Sequence, residues 1–302
     1  MQTVLTVGSF DGIHRGHRAV LRETCAHAMR AGWKSLLFTF VPHPLEVVNP
    51  PAAPPLLTLD HERREFFAQT EVDVVAFVPF TRELSQFTPE AFVQLLLERF
   101  GMRQLVIGHD HGFGRLRTGD AESLQALGAN LGFGVTVVPP ETIDGREVSS
   151  TLIRRAVAGG DLVTAARHLG RHYSMTGTVI RGAGRGRDIG YRTINIAEPD
   201  PRKLLPPDGV YAVQVEWADG ASGAMMHLGP RPTFGEQRRS LEAHLFDARP
   251  ELYGRDVKLS WIGRLRDVAA FPTVEALKQQ LDEDVRHARR ILGAVPPGGV
   301  TG

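Results

Sequence analysis

Cysteine is almost missing from this chain of 302 residues: Cys25 is its single example. One thiol cannot form a disulfide within the chain, which fits a reducing compartment. No apolar run approaches the roughly 20 residues that a bilayer-crossing helix needs. The first residues also lack the basic flank, apolar stretch and small-residue cleavage site of a secretory leader. These absences predict a cytoplasmic protein with no membrane partner. An excess of one charge is lacking too, since 35 lysines and arginines stand against 34 aspartates and glutamates, a formal net charge of +1. Aromatic residues do not interleave with the basic ones, so nothing here has the electrostatic and stacking footprint of a nucleic-acid binder. What remains is ordinary globular composition, 42% hydrophobic and 23% charged. The length suffices for one large or two ordinary domains, each with its own core.

The chain is organised around Val7-Gly8-Ser9-Phe10-Asp11-Gly12-Ile13-His14-Arg15-Gly16-His17. The apolar run Val4 to Val7 predicts a buried strand, and an amphipathic helical pattern follows the turn as far as Gly32. Gly8 and Gly12 let the backbone approach a ligand closely. The helix start offers unpaired N–H groups and the positive end of its dipole to an anion. His14 and His17, three residues apart, would share one helical face beside a bound phosphate. Two imidazoles there could stabilise a phosphoryl transition state without a covalent intermediate. A histidine pair at this spacing also occurs as surface decoration or half a metal site, so the other motifs have to agree.

Further strands are predicted at Ser35 to Phe40, Val72 to Val78, Gln104 to Ile107 and Gly134 to Val138, alternating with helical patterns. That alternation predicts an α/β domain with a doubly wound parallel sheet, whose ligands bind beyond the C-terminal ends of the strands. The prolines of Val41-Pro42-His43-Pro44 predict an extended turn that excludes a helix and presents His43. Asp110, in the glycine-bearing loop after Ile107, is a candidate hydrogen-bond acceptor for a sugar or ring. His109 and His111 beside it have no familiar metal-ligand spacing. Ser149, Ser150 and Thr151 at a helix start can cap backbone N–H groups or donate hydroxyls to a phosphate, with Arg154 one turn on to neutralise charge.

Near Gly170 the pattern changes to short β-rich runs separated by Gly, Pro and Asp turns. Five of them, from Met175 to Ile262, predict a closed antiparallel barrel, and Thr273 to Leu292 predicts a long helix with Leu277, Leu281, Val285 and Ala288 on one face. The domains are therefore expected at 1–170 and 171–302. Within the second, the Gly/Arg segment from Arg181 to Gly190, with Gly182, Gly184, Arg185 and Gly186, could wrap a polyphosphate or be a flexible hairpin loop. Strand alternation places Glu242 on the same face as His244, opposite Leu241, Ala243 and Leu245.

From residue 4 to about 292 the chain resembles the bacterial bifunctional riboflavin kinase/FMN adenylyltransferase family. The resemblance rests on the Gly8–His17 stretch, Thr39–Pro44, Val148–Arg154, the Arg/Gly segment, Gly229-Pro230-Arg231-Pro232-Thr233-Phe234 and Glu242–Asp247. It implies a nucleotidyltransferase domain in which the FMN phosphate attacks the α-phosphorus of ATP. There His14, His17 and Arg154 would be catalytic, while Gly8, Phe10, Asp11, Gly12, Ser149, Ser150 and Thr151 would bind nucleotide. His43 and Asp110 would shape the flavin and nucleotide sites. It also implies a riboflavin kinase barrel with Glu242 as general base, Gly182, Gly184, Arg185 and Gly186 on the nucleotide, and Thr193 and Asn195 holding Mg²⁺. Substrates would be riboflavin, FMN and ATP, FAD would be the product, and the protein would be a monomer or weak homo-oligomer. The family's Pro-Thr-Ala-Asn element reads Arg192-Thr193-Ile194-Asn195 here, His227 stands at a usual asparagine, and His111 at a usual aromatic. These departures leave a second reading, adenylyl transfer with a barrel that binds flavin without phosphorylating it.

Overall fold

The computed structural model describes residues 1–109, 121–182, 190–231, 236–248 and 250–294. They form two compact units, Met1–Ser150 and Thr151–Gly302.

The first unit is a parallel sheet in the order β3-β2-β1-β4-β5. In chain order it runs β1 (Thr3–Gly8), α1 (Arg15–Ala31), β2 (Lys34–Val41), α2 (Pro44–Val48), α3 (Asp60–Phe67), β3 (Val74–Pro79), α4 (Pro89–Phe100), β4 (Met102–Gly108), α5 (Ala121–Leu131) and β5 (Gly134–Val138). A small hairpin, β6 (Thr142–Ile143) and β7 (Arg146–Glu147), follows. Its central strands are nearly continuous apolar runs because both faces are covered. Val4, Leu37 and Val106 face Val20, Leu21 and Ala28 of α1. Leu5, Val7, Phe38, Leu105 and Ile107 face Phe92, Val93 and Leu96 of α4 and Leu124 of α5. The chain winds from β1 outward to β3, then returns to β4 on the other side of β1. That reversal opens a crevice beyond the carboxyl ends of β1 and β4, where open α/β sheets bind ligands.

Local signals set the helix ends. Thr88 accepts a hydrogen bond from the Ala91 N–H and Pro89 opens α4, where its missing N–H costs nothing. The same rule corrects the expectation for Pro42-His43-Pro44: Pro44 starts a helix instead of excluding one. His43 caps it by accepting from the Leu45 N–H at 3.3 Å, and Glu46 accepts from the His43 N–H at 3.1 Å.

The β2–β3 edge is tied by Asp73, whose carboxylate accepts from Lys34 Nζ at 2.6 Å and from the Ser35 N–H and Oγ at 2.9 and 2.7 Å. The lysine and serine donors hold this carboxyl down at about 2. Because the folded value lies below the unfolded one, Asp73 contributes stability above the ordinary carboxyl range and loses it as pH falls toward 2. Asp73→Asn is therefore expected to be less stable than the parent at pH 7, with the gap narrowing below about pH 4. Urea unfolding at a series of pH values measures it, and a gap that stays constant into acid would mean that the charge is not its source.

α6 (Ser150–Ala158) begins at the last residue of the first unit; the second unit continues with α7 (Leu162–Leu169), β8 (Tyr173–Ile180), β9 (Ile194–Ile196), β10 (Gly209–Trp217), β11 (Gly220–Arg231), β12 (Glu236–Leu245), β13 (Asp256–Arg266) and α8 (Val274–Gly293). Six strands close a barrel in the order β10-β11-β12-β9-β8-β13. The additional one, β9, is three residues long. Tyr211, Val213, Val215, Met226, Leu228, Ala243 and Trp261 are fully buried on alternate positions and fill the interior. The outward residues Val210, Ala212 and Met225 pack under Leu281, Val285 and Ala288 of α8, as the helical face predicts. Asp284 of α8 is buried and grips Arg266 at the end of β13, accepting from Nε at 3.0 Å and from a terminal nitrogen at 2.7 Å. A two-pronged pair of this kind fixes the helix in orientation as well as in place.

Candidate active sites

The turn between β1 and α1 is held from beneath. Phe10 and Ile13 have φ of 49° and 40°, and Gly12 has 84°. Two non-glycine residues in left-handed conformation carry strain that the surroundings must offset. Asp11 does much of that. It is buried, and its carboxylate accepts from the Leu57 N–H at 2.9 Å, the Thr58 N–H at 2.8 Å and the Thr58 hydroxyl at 2.9 Å. Thr58 Oγ1 in turn accepts from the Gly12 N–H at 2.9 Å. Asp11 thus points its side chain into the protein and holds the turn. Gly8 makes room for Phe10, since a Cβ there would lie 2.9 Å from the ring.

The two histidines come together, though not as neighbours on a helical turn. His14 is the N-cap of α1, buried, and its Nδ1 accepts from the His17 N–H at 3.2 Å. An accepting Nδ1 puts the ring proton on Nε2, so the cap fixes the tautomer. The rings stack with centroids 3.6 Å apart and 15° between planes, and Phe10 packs on His17 at 4.9 Å. The hydroxyl of Ser150, the last residue of the first unit and the first of α6, donates to the Asp11 carbonyl oxygen at 2.9 Å. Ser149 is half-buried beside it. On the same helix Thr151 is exposed, and Arg154 lies one turn further on, half-buried.

A residue that sequence reasoning missed completes the frame. Arg63 of α3 is buried and donates to the Ser9 carbonyl at 2.7 Å, the Phe40 carbonyl at 3.0 Å and Asp60 at 2.7 Å. It joins the turn after β1 to the end of β2. His43 stands at the start of α2, just past β2. His109 pairs with Glu147 of β7 at 2.5 Å. Among the described residues no group of three His, Cys, Asp or Glu side chains could hold a metal ion. Asp110, His111, Gly184, Arg185 and Gly186 lie outside the described residues.

On the barrel, a cross-strand row gathers the second set. Glu242 of β12 stands directly opposite Asn195 of β9 on one side and His227 of β11 on the other. Residues paired in this way point to the same face. Leu241 and Ala243 are buried inside the barrel, which leaves Glu242 and His244 on the outer face, as alternation predicts. Thr193 Oγ1 donates to Glu242 Oε2 at 3.4 Å. Gly182 lies against Asn195, where a Cβ would collide with the side-chain amide and push it aside. His227 directs Nε2 at the carbonyls of Gly229 and Pro230, at 3.1 and 3.0 Å, and both acceptors require a proton on that nitrogen. Arg192 is exposed. Tyr191 donates its hydroxyl to Asp282 of α8, and burial together with that carboxylate pushes its phenol up to about 12.

Beside this row is a cavity of about 570 Å³, walled by Val179, Phe246, Leu252, Tyr253 and Val285 and edged by Arg192, Thr193, Asp247 and Arg289. Its lining mixes polar and charged groups, including His244 and Glu251, with these apolar walls, and so suits a ligand that carries both a ring and polar substituents. Arg289 reaches over Phe246 to a two-pronged pair with Asp247, at 2.7 and 2.8 Å.

A strand-to-helix turn at the switch point of a parallel sheet, and a carboxylate, hydroxyl and amide grouped on a closed barrel, define a two-domain chain of the kind that handles phosphorylated ligands. Residues 1–152 match the family model described as FAD synthetase, and residues 169–292 the one described as riboflavin kinase. The bifunctional riboflavin kinase/FMN adenylyltransferase of Escherichia coli K12 is 34% identical over 97% of this chain and 94% of its own length. Its counterpart in Pseudomonas fluorescens is 36% identical over 95% and 92%. The chain belongs to the bifunctional riboflavin kinase/FMN adenylyltransferase family. A crystal structure described as a macrolide-efflux protein from Streptococcus pneumoniae also shares the fold, with a TM-score of 0.85 and 30% identity over 95% of this chain and 94% of that one. Among the described residues here, no helix is long and apolar enough to cross a membrane.

Proposed function

We propose that the protein makes FAD from riboflavin in two ATP-dependent steps, one in each domain, with the division at residue 170. In the barrel, the ribityl 5′-hydroxyl oxygen attacks the γ-phosphorus of ATP, its proton passes to Glu242, and the bond to the β-phosphate oxygen breaks to release ADP. The cavity beside Thr193 receives the flavin ring. Thr193 and Asn195 would hold Mg²⁺ with the phosphates. A hydroxyl and an amide oxygen next to a carboxylate are the hard donors that suit this ion, and Gly182 keeps Asn195 uncrowded. When bound, the ion neutralises charge that builds on the transferred phosphoryl group. The family resemblance assigns nucleotide binding in this domain to Gly182 and to Gly184, Arg185 and Gly186.

In the first domain, an FMN phosphate oxygen attacks the α-phosphorus of ATP and pyrophosphate leaves. No enzyme nucleophile is needed, only in-line positioning and charge stabilisation. His14, His17 and Arg154 stabilise charge. Gly8, Phe10, Gly12, Ser149, Ser150 and Thr151 shape the nucleotide site around a turn that Asp11 holds, and the family resemblance assigns flavin binding to His43 and Asp110. The protein works in the cytoplasm as a monomer or weak homo-oligomer on small molecules, without nucleic acid or membrane.

The observation that carries this reading is the row Asn195–Glu242 with Thr193 at 3.4 Å from the carboxylate. A carboxylate, a hydroxyl and an amide grouped in this way support a kinase reading although Arg192 and Ile194 depart from the family pattern. Incubation with ATP, Mg²⁺ and either riboflavin or FMN, followed by chromatography of the flavins, tests it. FMN and FAD are expected from riboflavin. FAD from FMN alone would reduce the barrel to a flavin-binding module, and no product from either would overturn both assignments.

A further inference from the structure

Segment 191–193 lies outside any strand, and only Ile194–Ile196 enters the barrel ladder as β9. Each of its three residues nevertheless hangs from a different neighbour by one hydrogen bond. The Tyr191 hydroxyl donates to Asp282 of α8. His244 Nδ1 lies 2.8 Å from the Arg192 carbonyl oxygen. Thr193 donates to Glu242. A carbonyl can only accept, so His244 must carry its proton on Nδ1. Its ring is wedged between Tyr191, at 5.2 Å, and Phe246, at 6.0 Å, which fixes the direction of that N–H.

A proline at position 192 would restrict this backbone by its ring. Arginine supplies no such restriction, and its own side chain is exposed. We infer that His244 and Tyr191 are positioning residues for riboflavin phosphorylation, clamping the backbone on both sides of Arg192 so that Thr193 and Asn195 face Glu242. This rests on the kinase reading of the barrel. Neither residue touches the reacting atoms in this scheme: they act through the segment they hold.

The side-chain geometry supplies a discriminating test. The amide nitrogen of asparagine can occupy the place of histidine Nδ1, whereas that of glutamine, one carbon further out, occupies the place of Nε2. His244→Phe keeps a ring between Tyr191 and Phe246 but removes the donor. It should lower kcat for riboflavin phosphorylation about tenfold, the worth of one well-placed hydrogen bond; because His244 also lines the cavity assigned to the flavin, the diagnosis rests on kcat and on the rescue pattern and not on KM. His244→Asn should recover most of the loss, and His244→Gln should not. Hydrogen–deuterium exchange of the peptide covering 191–196, measured without nucleotide or metal, should quicken in the Phe and Gln variants and stay near the parent in the Asn variant. FMN adenylylation by the same preparations should not change. Parent-like exchange and turnover in His244→Phe, or equal rescue by Gln and Asn, would overturn the inference while leaving the kinase reading intact. Absence of FMN from the unmutated protein would instead sink that reading. Should His244→Phe melt well below the parent, Tyr191→Phe, which removes only a hydroxyl, carries the same expectations of faster exchange and slower turnover, and parent values in both would overturn the clamp.

Discussion

Glu242→Gln should reduce riboflavin phosphorylation by about a thousandfold while leaving FMN adenylylation at its original rate, since general-base groups contribute between about a hundredfold and ten thousandfold. The substitution is nearly isosteric. A glutamine carbonyl can still accept from Thr193, and the cross-strand pairing with Asn195 and His227 is a backbone matter that the side chain does not alter. What goes is the capacity to take a proton from the ribityl hydroxyl as its oxygen bonds to phosphorus. The loss should therefore fall on kcat, with riboflavin binding, followed by quenching of its fluorescence, within a few-fold of the parent. The adenylylation rate of the same preparation serves as an internal control for folding. If phosphorylation survives within about threefold, Glu242 is a structural partner of Thr193, and the proton goes elsewhere.

How far this site could be read in advance depended on where each residue's partner lies. The outward face of Glu242 was legible because alternation along one strand is a local property: Leu241 and Ala243 turn inward, so Glu242 and His244 turn out. The turn from Gly8 to His17 was legible for the same reason, with its apolar strand before it and its amphipathic helix after it. β9 was not. Ile-Asn-Ile is too short to show a pattern, and it is a strand only because β12 and β8 pair with it. Asp11 lies in a conspicuous motif, yet its partners at Leu57 and Thr58 are 46 and 47 residues away, and no local signal says that its carboxylate turns inward. Arg63 was missed because a buried arginine on an amphipathic helix reads as solvent-facing until the carbonyls of Ser9 and Phe40 are seen around it. The helix at Pro44 was misread because proline forbids a helix interior but favours its first position.

His17→Ala should lower FMN adenylylation by about a hundredfold and leave riboflavin phosphorylation unchanged, in the range that follows removal of one preorganised donor from a charged transition state. The argument starts from the stacked pair. His14 spends Nδ1 on the backbone of His17, so it can offer only Nε2–H to a ligand. In the proposed scheme His17, half-buried over it and braced by Phe10, is the second donor, held by two rings and not by a flexible stem. Both rings stand beside the first N–H groups of α1, at the switch point where an anion is expected. Alanine leaves the backbone N–H of residue 17 in place, so the His14 cap and the tautomer it imposes survive. The variant thus removes one donor and one stacking surface without dismantling the turn that Asp11 and Thr58 hold. If His17 acts mainly on the transition state, kcat and kcat/KM fall together while KM for ATP moves little. A rise in KM at constant kcat would assign it to ground-state binding of the nucleotide. A change below about twofold in both would make it a packing partner of His14 and shift the charge stabilisation to His14 and the helix N-terminus.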